Sequence, residues 1–169
     1  MEIVLCTIGF AGKTAEEFFQ LLESAQVENV VDIRQHREGQ LSGFAKHPDL
    51  AYFLEKVARI GYSHELRLAP TPELLKTYRQ SKDWPAYELG FLALMRETGI
   101  AQAFDVATWP PRAALLCSEP GPEKCHRRLV ADLLAAHWRA QGHNIEIRHL
   151  VAARAKSAKS RRNKQRSVP

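Results

Sequence analysis

Short apolar runs alternate with amphipathic segments along the chain, and this alternation predicts strands followed by helices. Glu2 to Ile8 is apolar and β-branched and ends near two glycines, which indicates a buried strand followed by a tight turn. The next segment opens with a capping box, Thr14 followed three residues later by Glu17, and continues with apolar residues at helical spacing. Glu28 to Ile33 is then predicted as a second buried strand.

The middle of the chain is predicted to be mostly helical. After a polar loop over 34–47, Pro48 suits the first position of a helix that Gly61 would end. Tyr62 to Leu66 is predicted as a third, short strand. From Thr71 to Gly99 the spacing is helical in two pieces, the first opened by Thr71 and Pro72 and the second by Asp83 to Pro85. We expect this stretch to be a helical insertion.

The last third of the chain predicts another strand, helix and strand. Ala113 to Cys117 is an apolar run that is too short for a helix, which favours a central strand. A long helix is expected up to Gln141, with Gly142 at its cap position, and Asn144 to Leu150 alternates like a final strand. Because parallel strands need crossover helices, we expect an α/β fold with a mostly parallel sheet of about five strands covered on both faces.

Composition and length set the general class of the protein. The 169 residues are 45% hydrophobic and 25% charged, which suits one globular domain over 1–151 and excludes a fibrous or wholly disordered chain. The sequence has no apolar run long enough for a membrane span and does not begin like a signal peptide, so we expect a cytoplasmic protein without a membrane partner. The three cysteines are widely spaced, and we expect reduced thiols.

The basic character of the chain is concentrated at its end. Residues 152–169 hold seven Lys or Arg and no acid, whereas the body has 17 basic and 19 acidic residues, a net charge of −2. Such a tail is predicted to be flexible. It is either a solubilising extension or a contact for nucleic acid or another polyanion.

Ligands of open α/β sheets bind at the carboxyl ends of the strands, which selects three loops of this chain. The first, Thr7 to Thr14, ends in Gly-Lys-Thr like a phosphate-binding loop, but Thr7 stands where the first glycine would be. We therefore expect a capped turn that offers backbone N–H groups to an anion, near Gly9, rather than a nucleotide triphosphatase.

The second loop, from Asp32 to Lys46, is rich in hydrogen-bond donors. One interpretation is an ion pair between Asp32 and Arg34 that shapes the loop. The other is that Arg34 and Lys46 hold a phosphate or carboxylate while Phe44 offers a stacking face.

The third loop, Cys117 to Arg127, carries most of the reactive groups. Helical spacing places Cys125 and His126 on the face towards the sheet and Arg127 to one side. The functional interpretation is a reactive Cys125 or Cys117, with its thiol pKa lowered by the helix start and neighbouring cations, served by His126 as base. In that interpretation Arg127 and the helix N–H groups hold an anion. The alternative is two inert buried cysteines, with His126 bonded to a backbone carbonyl.

A metal site is disfavoured by the spacing of the potential ligands. Cys6, Cys117, Cys125 and His126 are conceivable ligands for zinc, but the sequence has no Cys-x-x-Cys or His-x-x-x-His pair. We predict neither a metal nor another cofactor.

Several motifs together resemble a known family. They are TIGFAGKTAEEF, VVDIR followed by SGFAK, YSHELRL, the Trp-Pro-Ala-Tyr stretch at Trp84, and LLCSEPGPEKCHRRLVADLL. The chain resembles, over about 3–150, the uncharacterised family 488 of the domains of unknown function. In place of the Pro and Ser expected after Arg34, this chain has QHREGQ. The resemblance implies a Rossmann-like three-layer α/β sandwich and a shared cluster made of Thr7, Gly9, Asp32, Arg34, Cys117, Glu119, Cys125, His126 and Arg127.

These residues support three hypotheses about function. The first is a small enzyme for an anionic, phosphate-bearing substrate such as a nucleotide or nucleic acid, with Cys117, Glu119, Cys125 and His126 as its chemical groups. The second is a non-catalytic module that binds nucleotides or nucleic acid. The third is a cluster that only ties the loops together. The oligomeric state and the identity of the reactive cysteine stay open.

Overall fold

The signals in the sequence produce five strands and five helices in the computed structural model, which describes residues 2–38 and 42–152. The strands are β1 (Glu2–Gly9), β2 (Asn29–Asp32), β3 (Gly61–His64), β4 (Arg112–Cys117) and β5 (Asn144–Leu150). The helices are α1 (Ala15–Ser24), α2 (Asp49–Tyr52), α3 (Pro72–Ser81), α4 (Trp84–Glu97) and α5 (His126–Ala140). Short 3₁₀ turns lie at Gly43–Ala45, Leu66–Leu68 and Ile100–Ala103.

All strands run parallel in one sheet with the order β3-β2-β4-β1-β5. Strand β4 therefore lies between β1 and β2, although it comes much later in the chain. Gly9 pairs with Cys117, and Asp32 pairs with Leu116, so the carboxyl ends of these three strands meet. The predicted α/β class and Rossmann-like sandwich are confirmed.

Alternation along the strands divides the core into two layers. On β1, Ile3 and Leu5 face the layer covered by α4 and α5. Val4, Cys6 and Ile8 face the opposite layer, which α1 and α2 cover. Strands β1 and β4 are buried on both faces, and their sequences are apolar nearly throughout, as expected for the interior of a parallel sheet.

The second helical segment differs in detail from its prediction. Pro48 immediately precedes α2 rather than being its first residue. The helix continues as wider π-helical turns over Phe53–Ala58 and ends at Arg59, which adopts a left-handed conformation with φ of 58°. Gly61 begins β3 instead of ending the helix. The left-handed residue that terminates a helix is usually glycine. Because arginine stands at this position, the sequence does not show where the helix ends.

The predicted helical insertion consists of α3 and α4. Thr71 caps α3 by accepting a hydrogen bond from the backbone N–H of Leu74 at 3.2 Å, and Asp83 caps α4 by accepting one from that of Ala86 at 3.0 Å. One side of α4 is buried against the sheet and α5, which fixes the insertion beside the carboxyl edge.

Within the described ranges, the helices are too short or too polar to cross a lipid bilayer. The basic tail predicted for 152–169 lies, from residue 153 onwards, outside the described residues.

The end of β1 approaches the loop after β4 so closely that only glycine fits there. A Cβ atom on Gly9 would collide with the backbone oxygen of Glu119 and lie 2.7 Å from Nη1 of Arg127. The backbone N–H of Ala11 also donates to the oxygen of Ser118 at 3.0 Å. Gly9 therefore sets the position of the loop that follows Cys117.

Replacing Gly9 by alanine should destabilise the protein by about 1–3 kcal/mol, because backbone atoms must move to admit the methyl group. The matched control is Gly43→Ala, where the added atom meets nothing within 4 Å, and a change within about 0.5 kcal/mol is expected. Urea denaturation measures the free energy of unfolding of both variants. Equal stability of the two variants would contradict the close approach.

Candidate functional site

A cavity of about 480 Å³ opens at the carboxyl edge of the sheet, where ligands of this architecture bind. Five residues predicted from the sequence line it, namely Arg34, Cys117, Glu119, Cys125 and His126. They come from the loop after β2, the loop after β4 and the start of α5. The parallel sheet thus brings together groups that are up to 92 positions apart in the chain.

Arg127 is completely buried just behind this cavity. Its Nη1 atom donates to the backbone oxygen of Glu119 at 2.7 Å, to Sγ of Cys117 at 3.0 Å and to Sγ of Cys125 at 3.4 Å. Among the described residues, its Nε and Nη2 atoms have no hydrogen-bond partner, and no carboxylate forms an ion pair with it. The helical spacing had placed Arg127 to one side, whereas the side chain reaches back from the first turn of α5 into the preceding loop.

Burial lowers the pKa of Arg127 to about 10, while the charges of Glu119 and Glu123 act in the opposite direction. The guanidinium therefore stays protonated at neutral pH. A buried cation is costly unless hydrogen bonds and a negative charge compensate it. Within the described part of the chain, the two sulfur atoms are the only ionisable groups that form hydrogen bonds with Arg127.

The two sulfur atoms of this site lie side by side but differ in their hydrogen bonds. Sγ of Cys117 accepts from Nη1 of Arg127 and also from the backbone N–H of Glu119, at 3.3 Å. The sulfur atoms of Cys117 and Cys125 are 2.50 Å apart, and the Cα atoms are 7.7 Å apart.

The third cysteine takes no part in this site. Cys6 is buried in the core layer that α1 and α2 cover, and burial raises the pKa of its thiol to about 11. A thiol in that environment stays protonated and unreactive.

His126 is half-buried beside the sulfur atoms. Its Nε2 atom lies 2.9 Å from the backbone oxygen of Ile33, which fixes Nε2–H as the donor and leaves Nδ1 as an acceptor. Burial lowers the pKa of His126 to about 4, and the charge of Arg127 contributes in the same direction. The ring is therefore neutral at physiological pH, so the positive charge beside the thiols belongs to Arg127 rather than to an imidazolium.

Asp32 and Arg34 form a buried bidentate ion pair. Nε and Nη2 of Arg34 donate to the two carboxylate oxygens at 2.8 and 2.6 Å, and Nη1 donates to the backbone oxygen of Ala45 at 2.8 Å. Tyr62 donates its hydroxyl to the same carboxylate at 2.8 Å. This geometry favours the interpretation in which the pair shapes the loop. Lys46 does not line the cavity.

Thr7 and Gly9 also lie outside the cavity lining. Thr7 is buried, and its hydroxyl is 2.8 Å from Nδ1 of His149, which ties β1 to the end of β5. Gly9 acts through the close backbone approach to Glu119 described above. Thr7 and Gly9 therefore position the strands and the loop beside the cavity but do not line it.

Sequence reasoning missed one whole wall of the cavity. The insertion contributes Leu75, Tyr78, Arg79, Lys82, Trp84 and Tyr87, and the loops add Phe10 and Lys124. Trp84 is buried, and it borders the cavity as well. Aromatic residues at helical spacing indicate only packing, and the sequence carries no signal for the position of α3 and α4 over the sheet edge.

The potential metal ligands converge more closely than the spacing predicted. Ligand atoms of Cys117, Cys125 and His126 lie within 4.8 Å of one another, without Cys6. However, the guanidinium of Arg127 contacts both sulfur atoms, and a second cation there would meet its repulsion.

The fold and site define a parallel α/β domain with a pair of cysteines and a buried arginine beside a cavity at the carboxyl edge of its sheet. The chain belongs to the family described as Domain of unknown function DUF488, whose model matches residues 14–134. This confirms the resemblance found in the sequence. Neither curated proteins nor solved structures yielded a significant match.

The low pKa of His126 predicts a specific dependence of stability on pH. Between the ordinary His pKa of about 6.5 and the folded value of about 4, the unfolded chain binds the proton and the folded chain does not. Stability should therefore fall by about 1–2 kcal/mol from pH 7 to pH 5 through this group. Urea denaturation of wild type and His126→Gln at both pH values measures the difference, with the exposed His143→Gln as control. An unchanged pH dependence in His126→Gln would contradict the assignment.

Breaking the buried ion pair should be far more costly than breaking an exposed one. Asp32→Asn leaves Arg34 charged and buried, which should reduce the free energy of unfolding by about 3–5 kcal/mol. Glu146→Gln breaks the exposed pair with Arg148 and should cost less than about 1 kcal/mol. Similar small losses in both variants would favour the interpretation of Arg34 as a free anion-binding group.

Proposed function

We propose that the protein is a small thiol-dependent enzyme that acts on an anionic, phosphate-bearing substrate, a nucleotide or a nucleic acid, in this cavity. The observation that carries the proposal is the contact of 3.0 Å between Nη1 of buried Arg127 and Sγ of Cys117. A protonated guanidinium with no carboxylate partner in the described structure favours the thiolate form of the sulfur it contacts. A thiolate is the nucleophilic form of cysteine.

Cys117 is the proposed nucleophile rather than Cys125. Its sulfur accepts two hydrogen bonds, from a charged and a backbone donor, whereas Cys125 has the single, longer contact of 3.4 Å with Arg127. Cys125 stands at the cap position of α5 and keeps its sulfur next to that of Cys117. This arrangement supports one negative charge on the pair, held at Cys117.

The charges at the rim of the cavity support a phosphate-bearing substrate. Arg79, Lys82 and Lys124 are exposed, line the cavity and form no ion pair with a described residue. Glu119 contributes the only carboxylate of the described lining. Because the Asp32–Arg34 pair neutralises itself, the free side-chain charges around the cavity are mainly positive.

Of the residues predicted from the sequence, Glu119 and His126 are the candidates for proton transfer. The Glu119 side chain is exposed at the cavity, while its backbone N–H and oxygen bind Cys117 and Arg127. His126 is neutral and has a free Nδ1, but its low pKa makes it a weak base. We assign the proton transfer to Glu119 and the orientation of the loop after β2 to His126.

A non-catalytic binding module is the second candidate function, and the exposure of the sulfur atoms favours it. Cys117 and Cys125 are only 1% and 2% exposed, so access to them requires a small movement of the wall. In this alternative the same cavity binds the nucleotide or nucleic acid, and the thiolate serves only to compensate Arg127.

An activity and binding assay separates these alternatives. Nucleotides and short oligonucleotides are incubated with the full chain and analysed by mass spectrometry, and binding is followed by thermal shift. We expect the wild type to turn over one substrate class. Cys117→Ser should reduce this turnover at least about 100-fold, while the thermal shift that the substrate causes persists. Cys6→Ser is the matched control and should keep the activity.

Three other outcomes of this assay would contradict one or both candidate functions. Turnover that survives in Cys117→Ser would contradict the role of the thiol. Binding without turnover in the wild type would favour the binding module, and the absence of both would contradict both candidates.

A further inference from the structure

One wall of the cavity is an aromatic cluster supplied by the helical insertion. Ring centroids are 4.8 Å apart for Tyr78 and Tyr87, 5.3 Å for Trp84 and Tyr87, and 5.9 Å for Tyr78 and Trp84. Trp84 and Tyr87 are buried, and half-buried Tyr78 is the most accessible member. Leu75 extends the apolar surface.

A further aromatic ring borders the cavity from a different element. Phe10 follows β1, and the guanidinium of Arg34 lies 5.3 Å from its ring centroid. The ion pair of Arg34 thus holds this ring in place. The cavity therefore combines aromatic surface from the insertion with aromatic surface from the sheet edge, and aromatic side chains bind flat, unsaturated rings well.

Positive charge lies on the same elements as the aromatic surface. Arg79 is the neighbour of Tyr78 on α3, and Lys82 follows the end of that helix. Lys124 comes from the loop before α5. A ligand that uses both features must combine a flat apolar group with an anion. A sugar phosphate has only the anion, whereas a nucleotide has both.

We infer that the insertion α3–α4 is a nucleobase-recognition element. This inference rests on the proposed function of the same cavity. The base of a nucleotide unit lies against Tyr78, which Trp84 and Tyr87 hold in position, and its phosphate lies near Arg79 and Lys82. The cavity volume of about 480 Å³ is in the range of small-ligand sites and suits a single nucleotide unit. That unit is either a free nucleotide or an unstacked nucleotide of a single strand, since both present the same chemistry.

Calorimetric titration of the full chain tests this inference. The probes are the four ribonucleoside 5′-monophosphates, ribose 5-phosphate and a single-stranded tetranucleotide. At least one nucleotide should bind about tenfold or more tightly than ribose 5-phosphate, because base stacking adds to the phosphate contact. Tyr78→Leu should weaken the nucleotide by about tenfold and leave ribose 5-phosphate unchanged. Leu89→Ala, an exposed change on α4, is the control.

A second pair of variants tests whether the positive charge on α3 contributes to binding. Arg79→Gln should weaken the nucleotide and ribose 5-phosphate alike, and Lys76→Gln, on the same helix outside the cavity lining, should weaken neither. Tighter binding of the tetranucleotide than of every mononucleotide would identify a strand as the source of the unit, and the reverse would identify a free nucleotide.

Equal affinity for nucleotides and ribose 5-phosphate would overturn the inference but leave the proposed phosphate-directed enzyme standing. The absence of nucleotide binding would overturn it as well. Failure of the enzyme proposal appears separately, as turnover that does not depend on Cys117.

Discussion

The carboxyl edge of the sheet is organised by a buried guanidinium that forms no ion pair with a carboxylate of the described residues. Nη1 of Arg127 contacts the backbone of Glu119 and the sulfur atoms of Cys117 and Cys125, and thus joins the end of β4, the loop after it and the start of α5. Gly9 makes this possible, since any side chain there would displace the Glu119 backbone. The cost of burying a cation must be balanced locally, and the two sulfur atoms are the titratable groups hydrogen-bonded to this guanidinium.

A second arginine at the same edge provides the contrast. Arg34 is also buried, but Asp32 matches it with a bidentate pair and the Ala45 carbonyl takes a further donor. Its charge is fully used in shaping the loop after β2. The two arginines therefore have different roles: Arg34 fixes a loop, and Arg127 places a positive charge against the sulfur of Cys117, whereas Cys6 lies in the opposite core layer.

Much of the fold followed from local signals in the sequence. The capping box of α1, the Thr71 and Asp83 caps, and the apolar strands are encoded within a few neighbouring residues, and the structure contains them. The end of the second helical segment was misplaced, because Arg59 adopts a conformation usual for glycine.

Only part of the candidate site could be predicted from the sequence. The strand-end rule identified the loops that hold Cys117 and His126, because topology alone brings them together. It could not locate the Arg127 side chain, since helical periodicity does not describe a residue in the first turn that reaches back into the loop. It also could not place Tyr78 and its neighbours over the edge, which depends on packing between distant elements.

The account depends on the ionisation of Cys117, which the ultraviolet absorbance of the thiolate measures directly as a function of pH. The difference between wild type and Cys117→Ser isolates this sulfur. The account predicts a pKa below the ordinary value of about 8.5, and its return to that value or above in Arg127→Gln, with Arg127→Lys in between. A wild-type Cys117 that titrates at or above the ordinary value would contradict the account.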